Sequence, residues 1–82
     1  MDVSVRVEAG ILLARHSRCF DGGRSLVMLS VPPETTIGDI VKILGIPSGH
    51  ISFPAVNGDK VDFSRKVRPG DEIVLFPYVA GG

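Results

Sequence analysis

One short segment constrains this chain more than any other. Ile37, Ile40, Val41 and Leu44 fall at i, i+3, i+4 and i+7, which places them on one face of a helix. Thr36 precedes them as a natural N-cap, and Asp39 follows three residues later, as in a capping box with Asp in place of Glu. Gly45 can take the left-handed conformation that closes a helix, and Pro47 prevents its resumption. The predicted helix, residues 37–44, is too short to persist alone in water. It must lay its apolar stripe on a larger surface, and the rest of the sequence offers strands.

Val3, Val5 and Val7 alternate with Ser4, Arg6 and Glu8, the period of a strand with one buried face. Leu26 to Val31 reads as a second strand, ended by Pro32-Pro33 because proline cannot donate to a ladder. Ile51 to Val56 is a third, with Pro54 marking an edge or a bulge. Asn57-Gly58 is a hairpin turn signal, and Lys60 to Phe63 is expected to return as a short strand. Pro69-Gly70-Asp71 turns the chain again, and Ile73 to Pro77 is the last strand. Ala9 to Ser25 is long for a structureless loop, so a helical turn is expected over Ile11–Ala14 and a tight turn at Asp21-Gly22-Gly23. The order makes an α+β domain: a mixed sheet of four to five strands with one main helix on one face.

Composition removes several function classes. The chain has 82 residues, room for one domain, and 44% of them are hydrophobic. Nine basic residues balance nine acidic ones, so the basic excess of a phosphate-binding nucleic-acid module is missing. A single cysteine, Cys19, cannot form an internal disulfide, a four-cysteine zinc site or an all-cysteine iron–sulfur cluster. His16-x-x-Cys19 has the spacing of two metal ligands, but His50 is the only other histidine, and chance spacing explains the pair better. No uninterrupted apolar run exceeds four residues, and the N-terminus lacks a signal peptide's basic start and apolar core. A cytoplasmic protein is expected, without membrane or nucleic-acid partners. Phosphate-binding loops, nucleophile elbows and paired histidines are all missing, so the chain is expected to be no enzyme.

The alternation has a second consequence. If Val27, Leu29, Val31, Ile73 and Leu75 point inward, then Leu26, Met28, Val74 and Phe76 point outward. Such an apolar patch on a small monomer suggests a partner surface. The competing reading is a register off by one, or coverage by Ala9–Ser25.

The second half carries a resemblance. Val31-Pro32-Pro33-Glu34-Thr35-Thr36-Ile37-Gly38-Asp39-Ile40, then Val56-Asn57-Gly58, Val61, Val67, Gly70-Asp71-Glu72-Ile73 and Leu75-Phe76-Pro77-Tyr78-Val79-Ala80-Gly81-Gly82 together resemble the MoaD/ThiS sulfur carriers. These are ubiquitin-like β-grasp proteins, and the ending resembles the molybdopterin branch, MoaD, more than ThiS. Tyr78 stands where that family often has a second proline, and Gly10–Ser25 does not resemble its first loop. A related ubiquitin-like domain, found fused to RNase-like modules, shares the Val56-Asn57-Gly58 and Val61-Asp62-Phe63 stretches without ending in Gly-Gly. The di-glycine end here speaks against that relative.

The resemblance implies a β-grasp domain over residues 1–77 and a flexible di-glycine tail over 78–82. It implies a carrier that binds no cofactor and is monomeric when free. An adenylating, ubiquitin-activating-like enzyme would use ATP and magnesium to activate the Gly82 carboxylate as an acyl-adenylate. A persulfide would then convert it to a thiocarboxylate, and a sulfur-accepting synthase subunit would receive the sulfur. Molybdopterin biosynthesis is the expected destination, with the chain as small subunit of the synthase; thiamin thiazole and tRNA thiolation are alternatives. Gly81 and Gly82 are the expected chemical site, since a tail threaded into a narrow adenylation channel has no room for a Cβ. Phe76, Pro77, Tyr78 and Val79 would aim and grip the tail, and Met28, Leu26 and Val74 would extend the docking surface. Arg65, Lys66 and Arg68 form either a solvated loop or, with Arg68 foremost, a contact to an acidic groove on the activating enzyme. A ubiquitin-like protein modifier and a β-grasp binding module with an inert tail are the competing functions.

Overall fold

The computed structural model describes residues 2–10, 13 and 26–78. Its main helix among the described residues, α1, runs Ile37–Leu44 and has the caps that the sequence predicts. The Asp39 N–H donates to the Thr36 hydroxyl (3.2 Å), and the Thr36 N–H donates back to the Asp39 carboxylate (3.1 Å). The Thr36 N–H foremost, and then the Thr36 side chain, hold the Asp39 carboxyl below its ordinary range by hydrogen bonding, with a smaller contribution from Lys42. Gly45 closes the helix at φ 76°. Ile37, Ile40, Val41 and Leu44 are all buried.

Five strands form one sheet: β1 (Val3–Ala9), β2 (Leu26–Val31), β3 (Ile51–Val56), β4 (Asp59–Lys60) and β5 (Glu72–Pro77). Their spatial order is β2-β1-β5-β3-β4, with β1 parallel to β5 and the other pairs antiparallel. The sheet is mixed and one face carries the helix, the ubiquitin-like β-grasp arrangement. Val3, Val5, Val7 and Ala9 of β1 and Ile73 and Leu75 of β5 meet the helical stripe in a single core. Leu13 joins it, and its N–H donates to the Gly10 carbonyl. The rest of the helical turn expected over Ile11–Ala14, the Asp21-Gly22-Gly23 turn and the His16–Cys19 pair lie outside the described residues.

One strand expectation needs correction. The returning strand predicted over Lys60 to Phe63 is instead Asp59–Lys60, following an Asn57-Gly58 turn in which both residues have positive φ (52° and 90°). Beyond it the chain turns to the helix start. The Phe63 carbonyl accepts from the Gly38 N–H, and the Arg65 carbonyl from the Ile37 N–H. First-turn helix donors have no intrahelical partner, and this demand overrides the strand pattern. In β3, the register against β5 shifts between Ile51 and Phe53. The shift keeps Ile51 buried and lets Phe53 lie opposite Phe76.

Asp71 is buried and holds the loop before β5. Its carboxylate accepts from the Arg68 N–H (2.8 Å), the Asn57 amide (3.2 Å) and Arg65 (3.5 Å), and its carbonyl accepts from the Arg6 N–H (2.9 Å).

Candidate functional site

Among the described residues, the sheet face opposite the helix is open. Its residues alternate with the core residues, so the same strands supply both faces. Met28 is 62% exposed, and Leu26 and Phe76 39% each; Val74 is half-buried. Two strips result rather than one continuous patch. Leu26 and Met28 lie on β2, Val74 and Phe76 on β5, and β1 runs between them. Glu8 faces Leu26 on one side and Val74 on the other, and Arg6 likewise separates Met28 from Glu72. Neighbouring strands are ~4.8 Å apart, so a charged row divides apolar strips about 10 Å apart. Arg6 pairs with Glu72 at 3.3 Å. Arg6, Glu8, Glu72, Asn57, Leu26 and Val74 line a shallow hollow of about 280 Å³ there.

The second strip leads to the chain's end. Phe76 stacks on Phe53 with ring centroids 4.7 Å apart, and the Lys60 ammonium lies 5.2 Å from the Phe53 ring centre. Pro77 pairs with Ile51, and the Tyr78 N–H donates to the His50 carbonyl (3.4 Å). Tyr78 is 61% exposed. Val79, Gly81 and Gly82 lie outside the described residues. The aromatic platform was hidden in the sequence because Pro54 and the register shift disguise the facing of Phe53.

Arg68 does not join this group. It precedes β5, whose six residues span roughly 17 Å, so it stands at the opposite end of that strand from Tyr78. Its basic neighbours are engaged within the domain: Arg65 with Asp71, and Lys66 in an ion pair with Glu34. The Lys66 hydrogen bond and charge hold the Glu34 carboxyl below its ordinary range. Among the described residues no helix is long and apolar enough to cross a membrane, and no three metal-type side chains cluster.

A mixed sheet gripping one helix, with an open amphipathic face and a last strand running out beside it, defines a ubiquitin-like β-grasp protein. The chain belongs to the Mut7-C ubiquitin family, whose sequence profile matches residues 21–81. The MoaD/ThiS resemblance therefore holds at the level of the ubiquitin-like fold, while its narrower assignment is not the family found.

No curated protein matches the chain significantly. Among solved structures it is similar to SAMP1 from Haloferax volcanii, at 26% identity and TM-score 0.69 over 96% of this chain and 99% of that one. A second crystal structure, of H. volcanii small archaeal modifier protein 1, aligns at 23% and 0.72 over 94% and 99%. A protein described as subunit 1 of a molybdopterin converting factor from Pyrococcus furiosus aligns at 20% identity and 0.68, over 94% of this chain and 99% of that one. At under 25% identity, the likeness is one of fold.

Proposed function

We propose that this chain is a ubiquitin-like modifier. In this reading the Gly82 carboxylate is activated by an adenylating enzyme and joined to amines of partner proteins. The observation that carries it is the likeness to SAMP1 along nearly the whole chain, combined with Gly81-Gly82 just beyond the aromatic platform. An α-carboxylate is ionised at neutral pH and is a poor acyl donor. Its oxygen attacks the α-phosphorus of ATP, pyrophosphate leaves, and the acyl-adenylate retains AMP as a good leaving group. A neutral lysine amine then attacks the Gly82 carbonyl carbon. The C–N bond forms, the C–O bond to AMP breaks, and the nitrogen's extra proton passes to solvent.

Each part of the chain has a role in this scheme. The five residues after Pro77 reach roughly 17 Å when extended, enough to enter an active site while the body docks outside. Pro77 limits φ at the point of exit. Phe76 on Phe53, with Leu26 and Met28 across the charged row, offers the enzyme a surface of apolar anchors around a polar centre.

A second reading is supported by Leu75-Phe76-Pro77 leading to Gly81-Gly82, and by the fold shared with the Pyrococcus protein: a sulfur carrier whose acyl-adenylate becomes a thiocarboxylate. One experiment separates the two. The protein is recovered from its host and digested with chymotrypsin, which cuts after Tyr78. Val-Ala-Gly-Gly attached to partner lysines supports the modifier. Sulfur in place of oxygen on Gly82 supports the carrier. An unmodified Gly82 carboxyl, or a chain that continues past Gly82, overturns both.

A further inference from the structure

Asn57 is the chain's one asparagine, no glutamine accompanies it, and glycine follows it. That pair carries chemistry beyond its turn geometry. The backbone nitrogen of the residue after an asparagine can attack the side-chain amide carbon and close a five-membered imide. Glycine presents that nitrogen with no Cβ in the way. Both residues are exposed, and the Gly58 N–H makes no hydrogen bond among the described residues. Water and the attacking nitrogen are therefore both at hand.

The fold opposes this reaction. The positive φ of both residues (52° and 90°) makes the turn the mirror image of type I. In such a turn the Gly58 nitrogen lies on the far side of the Asn57 Cα–C bond from Cβ, so it cannot reach the side chain until the turn opens. Three hydrogen bonds hold residue 57 closed against the start of β5. The Asn57 amide donates to Asp71 (3.2 Å), its side-chain oxygen accepts from the Glu72 N–H (3.0 Å), and the Asn57 N–H donates to the Glu72 carbonyl (2.8 Å). Asp71 is buried and also accepts from the Arg68 N–H, so its end of the contact is anchored.

We propose that Asn57 is a deamidation site, gated by its contacts to Asp71 and Glu72, whose conversion releases the β3–β4 hairpin from β5. In the opened turn the Gly58 nitrogen bonds to the Asn57 Cγ, the bond from Cγ to the amide nitrogen breaks, and ammonia leaves with the Gly58 proton. Water then opens the imide at either carbonyl. Opening at Cγ leaves aspartate; opening at the main-chain carbonyl leaves isoaspartate, with an extra methylene in the backbone. Water is the only co-reactant, and the departed ammonia makes the change one-way. Either product removes the amide donor that faced buried Asp71 and adds a negative charge near it. The consequences reach the open face. Lys60, on the released hairpin, lies over the Phe53 ring that stacks on Phe76. Asn57 also lines the hollow beside Arg6, so conversion adds a third carboxylate to Glu8 and Glu72 there.

Because Asn57 is the only side-chain amide, the mass of the intact chain reads this reaction alone, and separation of the peptide containing residue 57 resolves the two products. The folded chain, held at neutral pH, is expected to convert more slowly than the same chain in guanidinium chloride. Asp71→Ala should speed conversion by about five- to hundredfold, the share of closed turn that one lost buried partner costs. Where that variant does not fold, the unaltered chain supplies the same test. Its conversion should accelerate in step with hydrogen exchange of the Glu72 N–H as denaturant is raised below the unfolding transition. Asn57→Asp should shift the NMR signals of Lys60 and Phe76 while the chain stays folded. A folded chain that converts as fast as the unfolded one would overturn the gating, as would a folded Asp71→Ala chain with an unchanged rate, or conversion indifferent to Glu72 exchange. A mass that stays constant while the unfolded chain converts and the Glu72 N–H exchanges would overturn the site itself. Asn57→Asp with unaltered Lys60 and Phe76 signals would overturn the release.

Discussion

The two faces of the sheet are built from the same strands and have opposite fates. On the helix side, Val5, Val7, Ile73 and Leu75 are sealed beneath Ile37, Ile40 and Val41. On the other side, Leu26, Met28 and Phe76 remain exposed around Arg6, Glu8 and Glu72. Apolar residues on the first face are explained by folding. On the second they contribute little to folding, and their presence calls for another explanation, which a docking partner supplies. Substitutions should therefore divide cleanly, with stability responding on one face and association on the other.

The sharpest break is expected at Ile40, at the centre of the helical stripe. Ile40→Ala should cost about 2–5 kcal/mol in urea unfolding, because a fully buried side chain leaves a cavity. Asp71→Ala comes next at about 1–3 kcal/mol, since Asn57 and the Arg68 N–H both lose their acceptor. Thr36→Ala should cost about 1 kcal/mol by removing the N-cap. Met28→Ser, on the open face, should leave unfolding unchanged within ~0.5 kcal/mol. The same substitution should weaken binding to the activating enzyme, by about fivefold if Met28 is one of its anchors. A Met28→Ser chain that unfolds easily yet binds normally would erase the distinction between the faces.

The smallest effect is one of pH. The carboxyls of Asp39 and Glu34 both ionise more readily in the folded chain than ordinary carboxyls do. Their stabilising contribution is complete above the ordinary carboxylate range and is lost as pH falls through the lowered folded values. Thr36→Ala, which keeps the backbone N–H, should flatten that decline only in part, as measured by thermal unfolding across acidic pH.

Local signals made much of this fold readable. The capping box, Gly45 and the Asn57-Gly58 turn each carry their own geometry, and the Val3, Val5 and Val7 alternation fixes which face β1 buries. What could not be read depended on distant partners. Val61 to Phe63 has strand composition, yet Phe63 lends its carbonyl to the start of α1. The facing of Phe53 depends on the register shift, which its sequence neighbours do not display. Asp71 looked like a turn residue, and only the fold shows it buried among Asn57, Arg65 and Arg68. Arg68 is read from its charge as a contact to an acidic groove, and only the fold shows that β5 sets it far from Tyr78. The two apolar strips were legible individually; the row of Arg6 and Glu8 between them required the strand order.

The central claim is that Gly82 is an activated acyl group, and trapping with hydroxylamine tests it most directly. Hydroxylamine displaces AMP from an acyl-adenylate and leaves a hydroxamate on the carbonyl it attacks. In host extract supplied with ATP and magnesium, the full chain should acquire a hydroxamate on Gly82, visible by mass spectrometry of the chymotryptic Val-Ala-Gly-Gly peptide. Omission of ATP should abolish it, as should deletion of Gly82, a change expected to leave the fold intact. A folded chain with a free Gly82 carboxyl that acquires no hydroxamate in extract able to activate other such proteins would contradict the account.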